Sequence, residues 1–152
     1  MQLGPRVLRL FLNIYPPYLF SRTQVKYISP DWRQCVVELK KSFLTRNYVG
    51  TTFGGSLFAA ADPIFMLMLI HILGIKNYVI WDKEAKIKYL KPARSTITFH
   101  FEITAKDLKN IQSQISRKGK ALPQFKVFGI DAAGKTCVEV DKQIYIRKKI
   151  KS

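Results

Sequence analysis

Acidic side chains are scarce in this chain: 10 aspartates and glutamates face 26 lysines and arginines, a formal charge of +16 at pH 7. Such a balance favours polyanions as partners, whether nucleic acid, an anionic membrane surface or phosphorylated small molecules. The cations are spread along the chain, and only the tail "YIRKKIKS" clusters them. Zinc-finger spacing is absent, as is the basic–glycine–aromatic signature of an RNA-binding sheet, so no specific nucleic-acid partner is expected. Cysteine occurs twice, as Cys35 and Cys137, with no Cys-x-x-Cys spacing. That argues against a metal knuckle and a disulfide framework and leaves reduced thiols packed in strands. Internal repeats and a linker are lacking too, which makes residues 1–152 one expected domain. A chain of 152 residues is long enough to bury roughly 70% of its unfolded surface.

Targeting signals are also missing. The opening "MQLGPRVLRLFLNIYPPYLF" is interrupted by Arg6, Arg9, Asn13 and Pro16-Pro17 and has no small-residue cleavage site. Leu8, Phe11, Leu12 and Tyr15 recur at helical spacing, which predicts an amphipathic helix within residues 1–20, ended by the prolines. The run from Pro63 to Leu73 is shorter than the ~20 residues a transmembrane helix needs. The expectation is a cytoplasmic protein without a transmembrane segment.

What is present is a core over residues 24–148 with two periodicities. Cys35, Val37 and Leu39 alternate with polar residues, as do Ala85, Ile87 and Tyr89. Ile97, Phe99, Phe101 and Ile103 do the same, which puts His100 on the wet face. "KDLKNIQSQI" reads as a surface helix, and two strands around Ala132, Ala133 and Gly134 as a hairpin. Between the first strand and the rest lies a stretch from Gly54 to Leu73, apolar on all sides and closed by Gly74. Such a helix needs burial around its whole girth. The order predicts an α+β fold in which one antiparallel sheet wraps one central helix.

One carboxylate, Asp62, interrupts that apolar run and is followed at once by Pro63. It is either a cap, where one helix ends and another begins, or a catalytic group; the two are compatible. Upstream, "GTTFGGS" lacks the lysine of a phosphate loop, since Ser56 stands in its place, and no GxGxxG occurs. The amides of Gly54, Gly55 and Ser56 instead open the helix, where N–H groups without acceptors and the helix dipole favour a negatively charged oxygen. These amides and the carboxylate stand about 12 Å apart along the axis, so one helix does not bring both to one atom unless a ligand lies along it or a second subunit contributes, and a site shared across a dimer is the natural solution.

The pattern Asn47–x–x–Gly50–Thr51–x–Phe53–Gly54–Gly55–Ser56–Leu57, followed by Asp62, resembles the signature of hot-dog-fold acyl-CoA thioesterases of the phenylacetic-acid-pathway and 4-hydroxybenzoyl type. "YPPYLF", "FGGSLFAAADP", "YLKPAR" and "YIRKK" are more closely similar to an uncharacterised bacterial family grouped with those enzymes. The resemblance implies a hot-dog fold, a homodimer with tetramers left open, and hydrolysis of an acyl-CoA thioester without a cofactor beyond the coenzyme A of the substrate. It implies Asp62 as general base or nucleophile, Gly54 and Gly55 as the amides that polarise the carbonyl, and Asn47 as the group that orients water or carbonyl from across the dimer interface. Phe53 replaces the histidine that usually precedes the glycine pair, so a non-catalytic acyl or acyl-CoA binding protein on the same scaffold stays open. So does a basic module for nucleic acid or a membrane surface. Lys91 and Arg94 are candidate contacts for coenzyme A phosphates, and Phe53 and Phe58 for the acyl group.

Overall fold

A computed structural model describes residues 3–149. Helices α1 (Pro5–Ile14) and α2 (Pro16–Phe20) open the chain. Pro5 and Pro16 each take a first helical position, where a missing N–H costs nothing. The proline pair therefore starts a second helix as well as stopping the first. Leu8 and Leu12 are buried as expected, but Phe11 and Tyr15 face outward.

β1 (Thr23–Ile28) and β2 (Gln34–Leu39) pair in antiparallel fashion, with a bulge between Val25 and Tyr27. A loop then leads to α3 (Gly54–Ala61) and α4 (Ile64–Leu73). The central helix is thus two segments. Pro63 has no N–H to donate and its ring crowds the carbonyl four residues earlier. The Asp62 N–H donates instead to the Ala59 carbonyl at 3.3 Å, and the Leu67 N–H donates to the Pro63 carbonyl at 2.9 Å. The stretch Gly54–Leu73 is long and apolar enough to cross a membrane by length and composition. In this fold it is the core helix: Leu57, Ala60, Ala61, Ile64, Phe65, Met68 and Leu69 are buried. Each large side chain so buried contributes on the order of 1.5–3 kcal/mol.

β3 (Tyr78–Tyr89), β4 (Ile97–Glu102), α5 (Ala105–Lys118), β5 (Lys120–Ala121), β6 (Gln124–Ile130) and β7 (Thr136–Lys148) follow. The sheet runs β1-β2-β4-β6-β7-β3, antiparallel throughout, with β5 beside β7. This is the α+β hot-dog architecture, a curved sheet around a central helix. Thr104 caps α5 with Asp107 in a reciprocal capping box, and Gly119 closes it in the left-handed conformation. β3 departs from expectation. It begins already at Tyr78, it is the sheet edge, and a bulge between Asp82 and Glu84 shifts its register. Of Ala85, Ile87 and Tyr89, read as an inward face, only Ile87 is partly buried.

Gly129 marks the tightest approach in the sheet. A Cβ there would collide with Val138 and stand 2.8 Å from both Ile97 and Phe99. Gly129→Ala should therefore cost about 1–3 kcal/mol through overpacking. Urea denaturation measures it, and an unchanged midpoint would refute the packing account.

Candidate active site

β7 carries Val138, Val140, Ile144 and Ile146 on its inward face, and Lys142 falls in the same register. The lysine side chain is 0% exposed. Its Nζ lies 2.9 Å from Oδ1 of Asp62 and 2.9 Å from Oδ1 of Asp82, and 5.8 Å from the centre of the Phe58 ring. Removing an ammonium from water costs several kcal/mol, and only close carboxylates offset it. The contact to Asp62 is a hydrogen bond donated by Lys142. Asp82 sits at ion-pair distance, its buried Oδ1 facing the same ammonium. Burial pushes the Asp82 carboxyl above its ordinary pKa of 3.8; Lys142 works against that shift and the Asp62 charge adds to it.

Asp62 is not the buried carboxylate that its apolar neighbours suggest. Its side chain is 52% exposed. Nor is it a side-chain cap, since Pro63 is the N-cap of α4, no side chain caps that end, and the Asp62 carboxylate accepts from Lys142 instead. The helix break turns the carboxylate out of the helical ladder, one oxygen goes to Lys142, and the group keeps a face to solvent. A carboxylate tethered at one oxygen and open at its side can accept a proton from water or attack a carbonyl.

At the far end of α3, the Phe53 carbonyl accepts from both Ser56 and Leu57. The Gly54 and Gly55 amides have no acceptor among the described residues, and they lie at the positive end of the helix. Phe53 is exposed and its ring covers Gly55, while the Tyr89 hydroxyl hangs over Gly54, 2.7 Å from where a Cβ would be. Either glycine is therefore a place where a side chain would force its neighbours aside. Asn47 is spent within its own loop: its amide donates to the Thr51 hydroxyl at 2.8 Å and its carbonyl accepts the Thr51 N–H at 2.9 Å. It staples the turn before the helix and does not meet Asp62. Phe58 is half-buried beneath Lys142.

A cleft of about 510 Å³ lies beside this turn, lined by Lys41, Arg46 and Arg94 with Ser42, Thr51 and Thr52. The Arg46 guanidinium lies against Gly50, whose φ of +82° favours glycine. None of the three cations is paired with a carboxylate among the described residues. Arg94 is thus part of an anion-seeking cleft, whereas Lys91 is exposed and does not line it. Sequence reasoning missed Lys142, Asp82, Tyr89, Arg46 and Lys41. For Lys142 a signal existed, because the alternation of β7 marks position 142 as inward. No group of histidine, cysteine or carboxylate side chains suited to a metal occurs among the described residues.

Lys142→Met should leave Asp82 as an uncompensated, partly buried carboxylate and destabilise the protein at neutral pH by less than the ~3–5 kcal/mol of a fully buried pair. The folded pKa of Asp82 lies above its unfolded value, so the native state holds that proton more tightly. Its ionisation penalty is absent below about pH 3.8 and grows as pH rises through the folded value. The deficit of the variant, read by urea denaturation, should therefore narrow as pH falls towards 3.8. A deficit independent of pH would show that Asp82 is not the group left behind.

No curated protein matches the sequence. Several solved structures share its fold. A probable thioesterase from Pseudomonas aeruginosa is 16% identical with a TM-score of 0.86, covering 98% of this chain and 99% of that one. A protein of unknown function from Chlorobaculum tepidum is 21% identical with a TM-score of 0.76, covering 97% and 98%. A thioesterase from Haemophilus influenzae is 12% identical with a TM-score of 0.72, covering 99% and 95%. At such identities the likeness establishes the fold alone. The sequence model of the family described as "Domain of unknown function (DUF4442)" matches residues 4–146, nearly the whole chain, and this protein belongs to that family.

Proposed function

We propose that the protein is an acyl-CoA thioesterase whose site is completed in a homodimer. The observation that carries this reading is the helix break, which presents a half-exposed Asp62 carboxylate tethered by a buried lysine. In the proposed reaction Asp62 takes a proton from water as the oxygen attacks the thioester carbonyl; attack by the carboxylate itself is the variant route. The Gly54 and Gly55 amides, with the Tyr89 hydroxyl as a third donor, receive the negative charge that develops on the carbonyl oxygen. The thiolate of coenzyme A leaves and is reprotonated from solvent. Arg46, Arg94 and Lys41 supply charge for the phosphates, and Phe53 and Phe58 an apolar wall for a fatty or aromatic acyl group. Thioesterases among the proteins of similar fold support the reading.

One observation favours the second reading, a binding protein that does not hydrolyse. The Phe53 ring lies over Gly55 and narrows the approach to the amides. A panel of acyl-CoAs decides between the two, since only the enzyme releases free thiol. Asp62→Asn should reduce that release by a factor of about a hundred or more and leave the protein folded, because Asp82 still brings a carboxylate to the Lys142 ammonium at 2.9 Å. Full activity in a folded Asp62→Asn protein would remove the mechanism.

Distance and edges support the proposed dimer. Asp62 and the helix start lie about 12 Å apart in one chain, and β3 presents a 12-residue strand edge with Trp81 and Tyr89 exposed, followed by an exposed Leu90. Phe43, Leu44, Tyr48 and Val49 expose further apolar surface in the loop before α3. Unpaired edges of that length invite a partner strand. Light scattering at micromolar concentration should give twice the 17.6 kDa of one chain; a monomer would exclude the shared site.

A further inference from the structure

Helix α1 is apolar on two faces. Leu8 and Leu12, 6% and 4% exposed, pack towards Trp32, Cys35, Ile64 and Met68. Val7, Leu10, Phe11 and Ile14 form a second stripe at the i, i+3, i+4, i+7 spacing, with Leu10 61% and Ile14 71% exposed. Leu19 and Phe20 of α2 expose further apolar surface beyond it. A helix that only covers the core turns polar residues outward. Single exposed apolar side chains are ordinary, but a continuous stripe marks an interaction surface.

The charge around the stripe identifies what it meets. Counting 100° per residue, Arg6, Arg9 and Asn13 fall together on one flank of the stripe. Arg9 is anchored there, its Nη1 donating to the Lys26 carbonyl at 3.0 Å. The first acidic residue of the chain is Asp31, so Arg6, Arg9, Arg22 and Lys26 stand without a counter-charge before it. Nor does any of these except Lys26 pair with a carboxylate among the described residues. We propose that the outer face of α1 and α2 is a docking surface for an anionic lipid membrane. The stripe enters the headgroup–acyl boundary, and the arginines on its flank reach the phosphates. A second copy of the chain fits less well, since it would bring the same cations against these. The surface packs over β1, and β1 and β3 are the two ends of the sheet order. It is therefore distinct from the β3 edge, and the inference stands whether or not the protein hydrolyses thioesters.

Co-sedimentation of the full chain with phosphatidylcholine vesicles, with and without phosphatidylglycerol, tests it. The protein should sediment with the anionic vesicles, release at high salt and ignore the neutral ones. Leu10→Ser with Ile14→Ser should weaken binding by on the order of tenfold or more per residue. Arg6→Gln with Arg9→Gln should weaken it by roughly fivefold per charge. The stripe residues are exposed, so melting temperatures should stay near that of the parent. In the unaltered protein, anionic vesicles should slow hydrogen exchange in α1 and α2, a readout that does not depend on any variant folding. Absence of sedimentation, unchanged exchange, or folded variants that bind as well as the parent would each overturn the proposal. So would a parent that ignores vesicles while the leucine–isoleucine variant scatters as a smaller particle, which would assign the stripe to a second copy.

Discussion

An ammonium group without access to water sets the terms for everything around it. Lys142 lies on the inward face of β7, among residues that are otherwise valine and isoleucine. Its desolvation has to be offset by charge brought to it. Asp82 arrives from the neighbouring strand, where the bulge re-aims the chain, and Asp62 arrives from the gap between α3 and α4. Proline at 63 and a bulge at 82–84 are irregularities in their own elements, yet both serve one contact. That contact ties the edge strand, an inner strand and the central helix at a single point.

The helix break also divides the chemistry. At the start of α3, two amides have no acceptor among the described residues; at its end, a tethered carboxylate faces solvent. Between the two runs the apolar wall of α3, and beside its start lies the cleft with Arg46 and Arg94. Charge in this protein is thus of two kinds. Most of the surplus cations are solvated surface, whereas a few are held where no carboxylate answers them.

Much of this was legible in the sequence. The period-two runs of β2, β4 and the β6–β7 hairpin appear where alternation places them, and His100 is on the wet face. The glycines before α3 and the candidate break at Asp62–Pro63 could be read from residue chemistry alone. β1 and β3 were harder, because each carries a bulge that shifts the alternation a reader relies on. Lys142 was overlooked because a lysine suggests surface, although its position in the β7 register says interior. Its partners gave no local signal: Asp62 stands 80 residues away in sequence, and such pairings arise only from topology. The exposed stripe of α1 was not read: the spacing recognised was that of Leu8, Phe11, Leu12 and Tyr15, of which only Leu8 and Leu12 meet the core.

β7 lies near the C-terminal end of the described chain and yet is the neighbour of β3, β5 and β6. As a nascent chain leaves the ribosome, the long β3 therefore emerges well before the strand that will cover its inner edge. Until then both of its edges are bare, and the carboxylates of Asp62 and Asp82 have no lysine to enclose. Non-local pairing of this kind delays closure and prolongs the exposure of sticky strand edges. β7, made after all the strands it pairs with, is thus the one that locks the sheet and assembles the charged centre in the same step, so that a chain not yet extended through β7 holds neither.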